Sequence, residues 1–197
     1  MDDDRLPPGQ HATDDLPVLH VGAVPRFDPA TWDLEVGGEV ENPLRFTYDQ
    51  VRGLPKTMDE SDFHCVTSWS RLGNVWEGVR FRDLTALAGP KPEARFVTVE
   101  CDGGYTTSLP IEELMEDDVL LAWGLDGQDL TPAHGFPLRL VVPKKYAYKS
   151  AKWVRKVKFT AEQELGYWER RGYSDAADPW KEERHAGGDD ETRDGDA

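Results

Sequence analysis

Residues 132–154 read PAHGFPLRLVVPKKYAYKSAKWV. The apolar run predicts a strand over Phe136–Val142, entered through Gly135 and Pro137 and stopped by Pro143. Four lysines come next, Lys144, Lys145, Lys149 and Lys152, interleaved with Tyr146 and Tyr148. In a chain with 38 Asp+Glu against 23 Lys+Arg and a net charge of −15, such a cationic strip has two readings. One is a site for a bound anion such as a phosphate, and the other is a solvated strip paired with acidic neighbours.

Outward from this stretch, short strand patterns dominate. Thr31–Val36 alternates apolar and polar residues and is followed by Gly37-Gly38, which predicts a hairpin. Thr47 and Gln50 have capping-box spacing, so a short helix is expected over Tyr48–Leu54, ended by Pro55. Ser61–Val66, Arg95–Glu100, Tyr105–Leu109 and Val119–Trp123 read as strands, with Asp126-Gly127 a turn. Phe81–Ala88 has helical apolar spacing closed by Gly89-Pro90, and Pro110 starts a helix through Met115. Many short strands with small helices between them predict an α+β domain with sheets forming the core. Acidic, apolar-poor ends at 1–15 and 186–197 are expected to be disordered tails around one folded unit, 16–185.

The charge balance argues against nucleic acid as a partner, because phosphate neutralisation needs a basic face. It suits a salt-rich cytosol, where screening removes self-repulsion. Only Cys65 and Cys101 are present, without a CxxC pair, so a reduced, cytoplasmic setting is expected rather than a disulfide scaffold. The acidic start has the pattern of neither a secretory signal nor a twin-arginine signal. No window approaches the roughly 18 apolar residues of a membrane span.

The second landmark is residues 61–76, SDFHCVTSWSRLGNVW. Cys65 could be an inert core residue, a nucleophile or a metal ligand. His64, Thr67, Ser68, Ser70, Arg71 and Asn74 crowd polar groups around it, and an arginine beside a thiol favours the thiolate. Adjacent residues of a strand face opposite ways, so His64 is a poor base for Cys65. His20 or His134 could serve only if folding brought them close. The scattered Cys and His have no zinc-ligand spacing.

Taken in order, Cys65 and the tryptophan after it, VTVECDGGYTTSLP, LLAWGLDGQDL and HGFPLRLVVPKKYAYKSAKWV resemble the molybdopterin-binding domain of the sulfite oxidase family, from about Leu16 to His185. The resemblance implies the family's fold of mostly short strands in mixed sheets. It also implies a Mo-molybdopterin cofactor, one molybdenum held by one pterin dithiolene and by a protein thiolate, for which Cys65 is the matching residue. A high-valent metal that draws the proton from a thiol is chemically consistent with that role.

By the same resemblance, His134 and Arg139 match pterin contacts, and Ser150, Ala151 and Lys152 match the phosphate-side loop, with Lys145 and His64 counted among the cofactor contacts. Bacterial sulfoxide reductases carry Asn where this chain has His134. Cys101 falls near a cofactor-contacting position, and LPVLHVGAVP resembles the entry segment that brings His20 and Gly22 to the pterin. The Asn and Tyr-Glu signature of the sulfoxide reductases is missing there.

Arg71 is expected to position a substrate oxygen, the alternative being a pair with a surface acid. Tyr105 and Tyr146 are expected to hydrogen-bond a metal oxo group. The family resemblance thus implies a two-electron oxygen-atom-transfer enzyme acting on a small oxo-anion such as sulfite, or on a sulfoxide-type substrate. The length leaves no room for the haem and immunoglobulin-like domains of animal sulfite oxidases, so a separate electron donor or acceptor protein is implied. A non-catalytic carrier of molybdopterin or another anion, sharing the fold, is the alternative.

Overall fold

In the computed structural model, which describes residues 3–187, the strands in chain order begin with β1 (His11–Ala12), β2 (Asp33–Gly38) and β3 (Leu44–Thr47). Helix α1 (Tyr48–Arg52), β4 (Thr57–His64), β5 (Trp69–Arg80) and α2 (Phe81–Ala88) come after them. Then come β6 (Phe96–Cys101), β7 (Thr106–Pro110), α3 (Ile111–Leu114), β8 (Leu120–Leu125), β9 (Gln128–Asp129), β10 (Arg139–Val141) and β11 (Val154–Thr160). They form a five-stranded sheet in the order β3-β2-β11-β6-β7 and a six-stranded sheet built on β1-β5-β8-β10, with β4 also paired to β5 and β9 to β8. Both sheets are mixed: β2 runs parallel to β11 and β1 parallel to β5, while the remaining ladders are antiparallel. The α+β class read from the sequence is the observed one.

The core lies between the sheets. Leu34 and Val36 of β2, Val97 and Val99 of β6, and Val157 and Phe159 of β11 meet Val79, Leu121, Trp123 and Leu140 of the other sheet. Each such side chain taken fully from water contributes roughly 1.5–3 kcal/mol, so this layer dominates stability. Leu120, Ala122 and Val141 point the other way, into a second cluster with Phe63, Cys65, Trp69 and Trp76. Strand β8 is therefore covered on both faces, which is why it reads as a continuous apolar run rather than an alternation.

Local signals are accurate where local bonds decide. Thr47 Oγ1 accepts from the Gln50 N–H at 3.3 Å, and Gln50 Oε1 accepts from the Thr47 N–H at 2.8 Å, the expected capping box. Helix α2 has the expected bounds and ends at Gly89 with φ 62°. The Gly37-Gly38 turn needs correction, because β2 continues through both residues and the chain reverses after them, before β3. Gly38 has φ +85°, and a Cβ there would lie 2.1 Å from the Phe159 carbonyl oxygen, so the glycine permits close approach to β11.

The segment 1–15, expected as a disordered tail, is ordered over its described part. Strand β1 pairs His11 with Trp69 and Ala12 with Ser70, Arg5 pairs with Asp62, and Pro7 is buried. Backbone pairing and an ion pair hold it in place of the apolar content whose absence suggests disorder. Residues 188–197 of the expected C-terminal tail lie outside the described residues. Among the described residues no helix is long and apolar enough to cross a membrane.

Candidate functional site

Cys65 follows β4 and opens the turn into β5. Its N–H donates to the Trp69 carbonyl at 2.8 Å and its carbonyl accepts from the Ser68 N–H at 3.0 Å, with Ser68 at φ 71°. The side chain is 6% exposed, and Sγ accepts from Thr67 Oγ1 at 3.2 Å. Burial pushes the thiol pKa up, against the Thr67 hydroxyl, the backbone N–H groups of Thr67 and Val66, and the charge of Arg184. The expected thiolate-stabilising arginine is thus Arg184 rather than Arg71, and burial outweighs it. A bound cation would be needed to take the proton off this sulfur.

Cys65 lines a cavity of about 300 Å³ together with Arg139, Lys152, Ser150 and Tyr105. Phe63, Trp69, Tyr148, Trp153, Trp168 and Tyr173 supply aromatic surface to the same space. Segment 16–21 crosses one side and is tied down at two points: Lys152 Nζ donates to the Leu19 carbonyl at 2.7 Å, and His134 Nε2 bonds the Leu16 carbonyl at 2.9 Å. A carbonyl only accepts, so His134 carries its proton on Nε2, and its Nδ1 accepts from Thr131 Oγ1 at 2.8 Å.

Arg139 is 4% exposed. It donates to the carbonyls of His134 at 3.0 Å and Ser150 at 3.1 Å, and its guanidinium lies 5.1 Å from the ring centroids of both Phe63 and Trp76. Burial pulls its pKa from 12.5 to about 10. Lys152 donates to the Leu19 and Ala133 carbonyls, and burial, then the neighbouring charge of Arg139, lower its amine from 10.5 to about 7. Among the described residues neither side chain meets a carboxylate: the buried Arg139 and the half-buried Lys152 each hydrogen-bond to neutral carbonyl oxygens. Two cations held without counter-charge are an arrangement that an anion completes.

Of the residues singled out from the sequence, His20, Cys65, Tyr105, His134, Arg139, Ser150, Ala151 and Lys152 line this cavity. The others lie elsewhere, each for a visible reason. Arg71 donates to Asp126 and Asn74, both at 2.6 Å, so it fixes the turn after β8 instead of facing the cavity. Lys145 pairs with Glu113 at 2.7 Å. Cys101 packs in the core between the sheets, its thiol pKa raised by burial. His64 is buried with Nδ1 on Ser70 Oγ at 2.8 Å, and Gly22 is exposed beside the cavity-lining segment. Tyr146 is fully buried with the Arg184 guanidinium over its ring. Tyr105 does line the cavity, but its hydroxyl donates to the Tyr148 carbonyl, so its proton is already committed.

Sequence reasoning misses Thr67, whose hydroxyl meets the sulfur, and the aromatic walls at Trp168 and Tyr173. Thr67 lies inside the polar cluster noted around Cys65, while the two aromatics come after β11 with no local pattern pointing back to the cavity. Reading Lys149 as part of the solvated strip is also corrected. Lys149 is fully buried, bonded to Glu169 Oε1 at 2.5 Å, Asp175 Oδ1 at 3.0 Å and the Ser108 carbonyl at 2.9 Å.

The residues present fit a molybdopterin. The aromatic surface suits a flat ring system, the two cations suit an anionic group, and the thiol offers one soft ligand to a metal. Among the described residues no group of three or more His, Cys, Asp or Glu could hold a metal by itself. A metal beside Cys65 would therefore draw its remaining ligands from outside these side chains.

Comparison with known proteins agrees. The family model "Oxidoreductase molybdopterin binding domain" matches residues 21–168. The chain is 46% identical over 181 residues to the uncharacterized oxidoreductase YuiH of Bacillus subtilis, covering 91% of each. It is 32% identical to the protein-methionine-sulfoxide reductase catalytic subunit MsrP of Campylobacter jejuni, over 76% of this chain and 56% of that one, so it spans little more than half of that relative. Among solved structures, the sulfane dehydrogenase SoxCD of Paracoccus pantotrophus superposes with a TM-score of 0.68 at 27% identity, covering 78% of this chain and 43% of that one.

Proposed function

Because this chain belongs to the oxidoreductase molybdopterin-binding domain family, we propose that it is a Mo-molybdopterin enzyme transferring an oxygen atom to or from a small oxo substrate, sulfite or a sulfoxide-type compound. The observation that carries the reading is the Cys65 thiol sharing one cavity with Arg139 and Lys152, two cations without a carboxylate partner among the described residues. When bound, the cofactor supplies a two-electron redox metal able to give or take an oxygen atom.

The chain's own residues then have separable tasks. Cys65 supplies the thiolate, with its Sγ held by the Thr67 hydroxyl and its backbone fixed at both ends of the turn. Arg139 and Lys152 neutralise the anionic part of the cofactor, and the Phe63 and Trp76 faces hold the guanidinium flat. His134, through its Nε2–H, keeps segment 16–21 over the site and so limits water.

Either direction balances with an external partner: a sulfoxide takes two electrons and two protons and leaves as thioether and water, while sulfite and water give sulfate and release the same. A separate electron-transfer protein is therefore part of the proposal. So is a cytoplasmic, salt-adapted setting, supported by the net charge of −15; its test is whether the unfolding midpoint rises with molar KCl.

The functional test is cofactor analysis together with turnover. Protein purified from a molybdate-replete host should contain about one molybdenum and one pterin per chain. It should turn over a member of a panel of oxo donors and acceptors with an artificial electron carrier, and Cys65→Ser should abolish turnover while leaving the fold. Cofactor without turnover on any panel member would favour the carrier alternative. Metal-free protein, with the mutant indistinguishable from wild type, would overturn the enzyme reading and favour the carrier.

A further inference from the structure

The N-terminal arm touches the Cys65 turn through one side chain. Gln10 Nε2 lies 3.1 Å from the Cys65 carbonyl and Gln10 Oε1 lies 3.2 Å from Ser70 Oγ, which in turn lies 2.8 Å from His64 Nδ1. Chemistry sets the directions of these bonds. The Cys65 carbonyl can only accept, so the amide nitrogen faces it and the amide oxygen faces Ser70. The single Ser70 proton therefore goes to Gln10, and Ser70 accepts from a His64 that carries its proton on Nδ1. Ser70 and His64 are buried at 0% and 4% exposure, so this relay is held away from competing water. Strand β1 sets the reach: His11 N–H donates to Ser68 O at 3.0 Å and Thr13 N–H to Ser70 O at 2.9 Å, placing Gln10 beside the turn.

Building on the proposed role of Cys65, we infer that Gln10 is a positioning residue for it, and that the arm before the family-matched region braces the cysteine turn at Cys65 itself through this amide. The Cys65 carbonyl has two donors, the Ser68 N–H inside the turn and the Gln10 amide from outside it. Elsewhere in the turn the Ser68 carbonyl accepts from the His11 N–H and the Val66 carbonyl from Arg184, so the Gln10 amide is the arm's tie to Cys65 itself, and removing it loosens the backbone that carries Sγ.

Two readouts on the full chain test this. In the cofactor-free protein, the rate at which iodoacetamide alkylates Cys65 at fixed pH, followed by peptide mass spectrometry, reports how often the turn opens. In the molybdenum-loaded protein, the thiolate-to-metal charge-transfer band reports the orientation of the sulfur. Gln10→Met keeps length and neutrality but removes both polar atoms. It should raise the alkylation rate about fivefold, the factor that one net hydrogen bond is worth, and should shift or broaden the band. His11→Ala, in the same arm but with an exposed side chain, should leave both at wild-type values. Gln10→Ala is the second variant if the first does not fold.

Wild-type behaviour of the Gln10 variants in both readouts, or equal effects of the Gln10 and His11 variants, would overturn the inference, the latter by making docking of the arm the cause. Should the wild-type protein carry no molybdenum, the functional proposal fails while the alkylation rates still decide the role of Gln10.

Discussion

Replacing Arg139 with methionine separates a structural cation from one kept for a ligand. In the cofactor-free protein two effects oppose each other. Holding the guanidinium buried without a counter-charge lowers its pKa from 12.5 to about 10, which corresponds to about 3 kcal/mol of strain that Arg139→Met relieves. The same change strips the buried carbonyls of His134 and Ser150 of donors at 3.0 and 3.1 Å, costing about 1–3 kcal/mol apiece. The relieved energy falls inside the roughly 2–6 kcal/mol lost with the two carbonyl bonds, so urea unfolding of the cofactor-free variant should differ from wild type by less than about 3 kcal/mol.

With cofactor the balance is one-sided. A buried anion that loses its cation costs roughly 3 kcal/mol or more, over a hundredfold in affinity, and molybdenum measured after gel filtration should be largely lost. Wild-type molybdenum content in Arg139→Met would refute the reasoning. So would destabilisation of the cofactor-free variant by much more than the lost carbonyl bonds explain, since Arg139 would then be a structural residue.

The same geometry makes three further perturbations informative. Lys149→Met should destabilise the protein by roughly 3–5 kcal/mol in urea unfolding, because the Glu169 side chain is left buried without its partner; adding Glu169→Gln should recover part of the loss. For Lys152, the folded amine titrates at about 7 against an ordinary 10.5, so between those values the unfolded chain binds more protons and unfolding free energy rises with pH. Below pH 7 both states are charged and the contribution is flat. The difference between wild-type and Lys152→Met cofactor-free protein should therefore climb from pH 7 to 10, and a flat or falling difference would contradict the burial of this amine. Gly135→Ala should cost about 1–3 kcal/mol and weaken cofactor retention, because φ is +113° and the new Cβ would lie 2.9 Å from Arg139 Cβ; unchanged stability with full molybdenum would count against the tight approach.

The parts of the fold legible in the sequence are those settled within a few residues. The Thr47 and Gln50 box and the FRDLTALA helix closed by Gly89 carry their own caps. Strand β5, the longest in the molecule, escapes the pattern reading, because Gly73 and Gly78 break its alternation and its partners β4 and β8 lie on either side of it in the chain order. Strand β11 is hidden by its own lysines, which read as an extension of the basic strip while Val154, Val157 and Phe159 are buried.

The site divides the same way. Cys65, Arg139, Ser150, Ala151 and Lys152, which the family resemblance picks out of two contiguous motifs, converge on one cavity. Arg71 misleads because proximity to Cys65 in sequence says nothing about Asp126, 55 residues away, which captures it. Gln10 is invisible for the converse reason: its bond to Cys65 also spans 55 residues, and it sits in a segment whose composition argues for disorder.

The central claim, that Cys65 supplies a ligand to molybdenum, is tested most directly by anomalous diffraction at the molybdenum edge from crystals of protein made in a molybdate-replete host. The expected map has a single strong peak within bonding distance of Cys65 Sγ, inside the cavity lined by Arg139 and Lys152. A peak elsewhere, or a Cys65 side chain in contact only with hydrocarbon while molybdenum is absent, would contradict it.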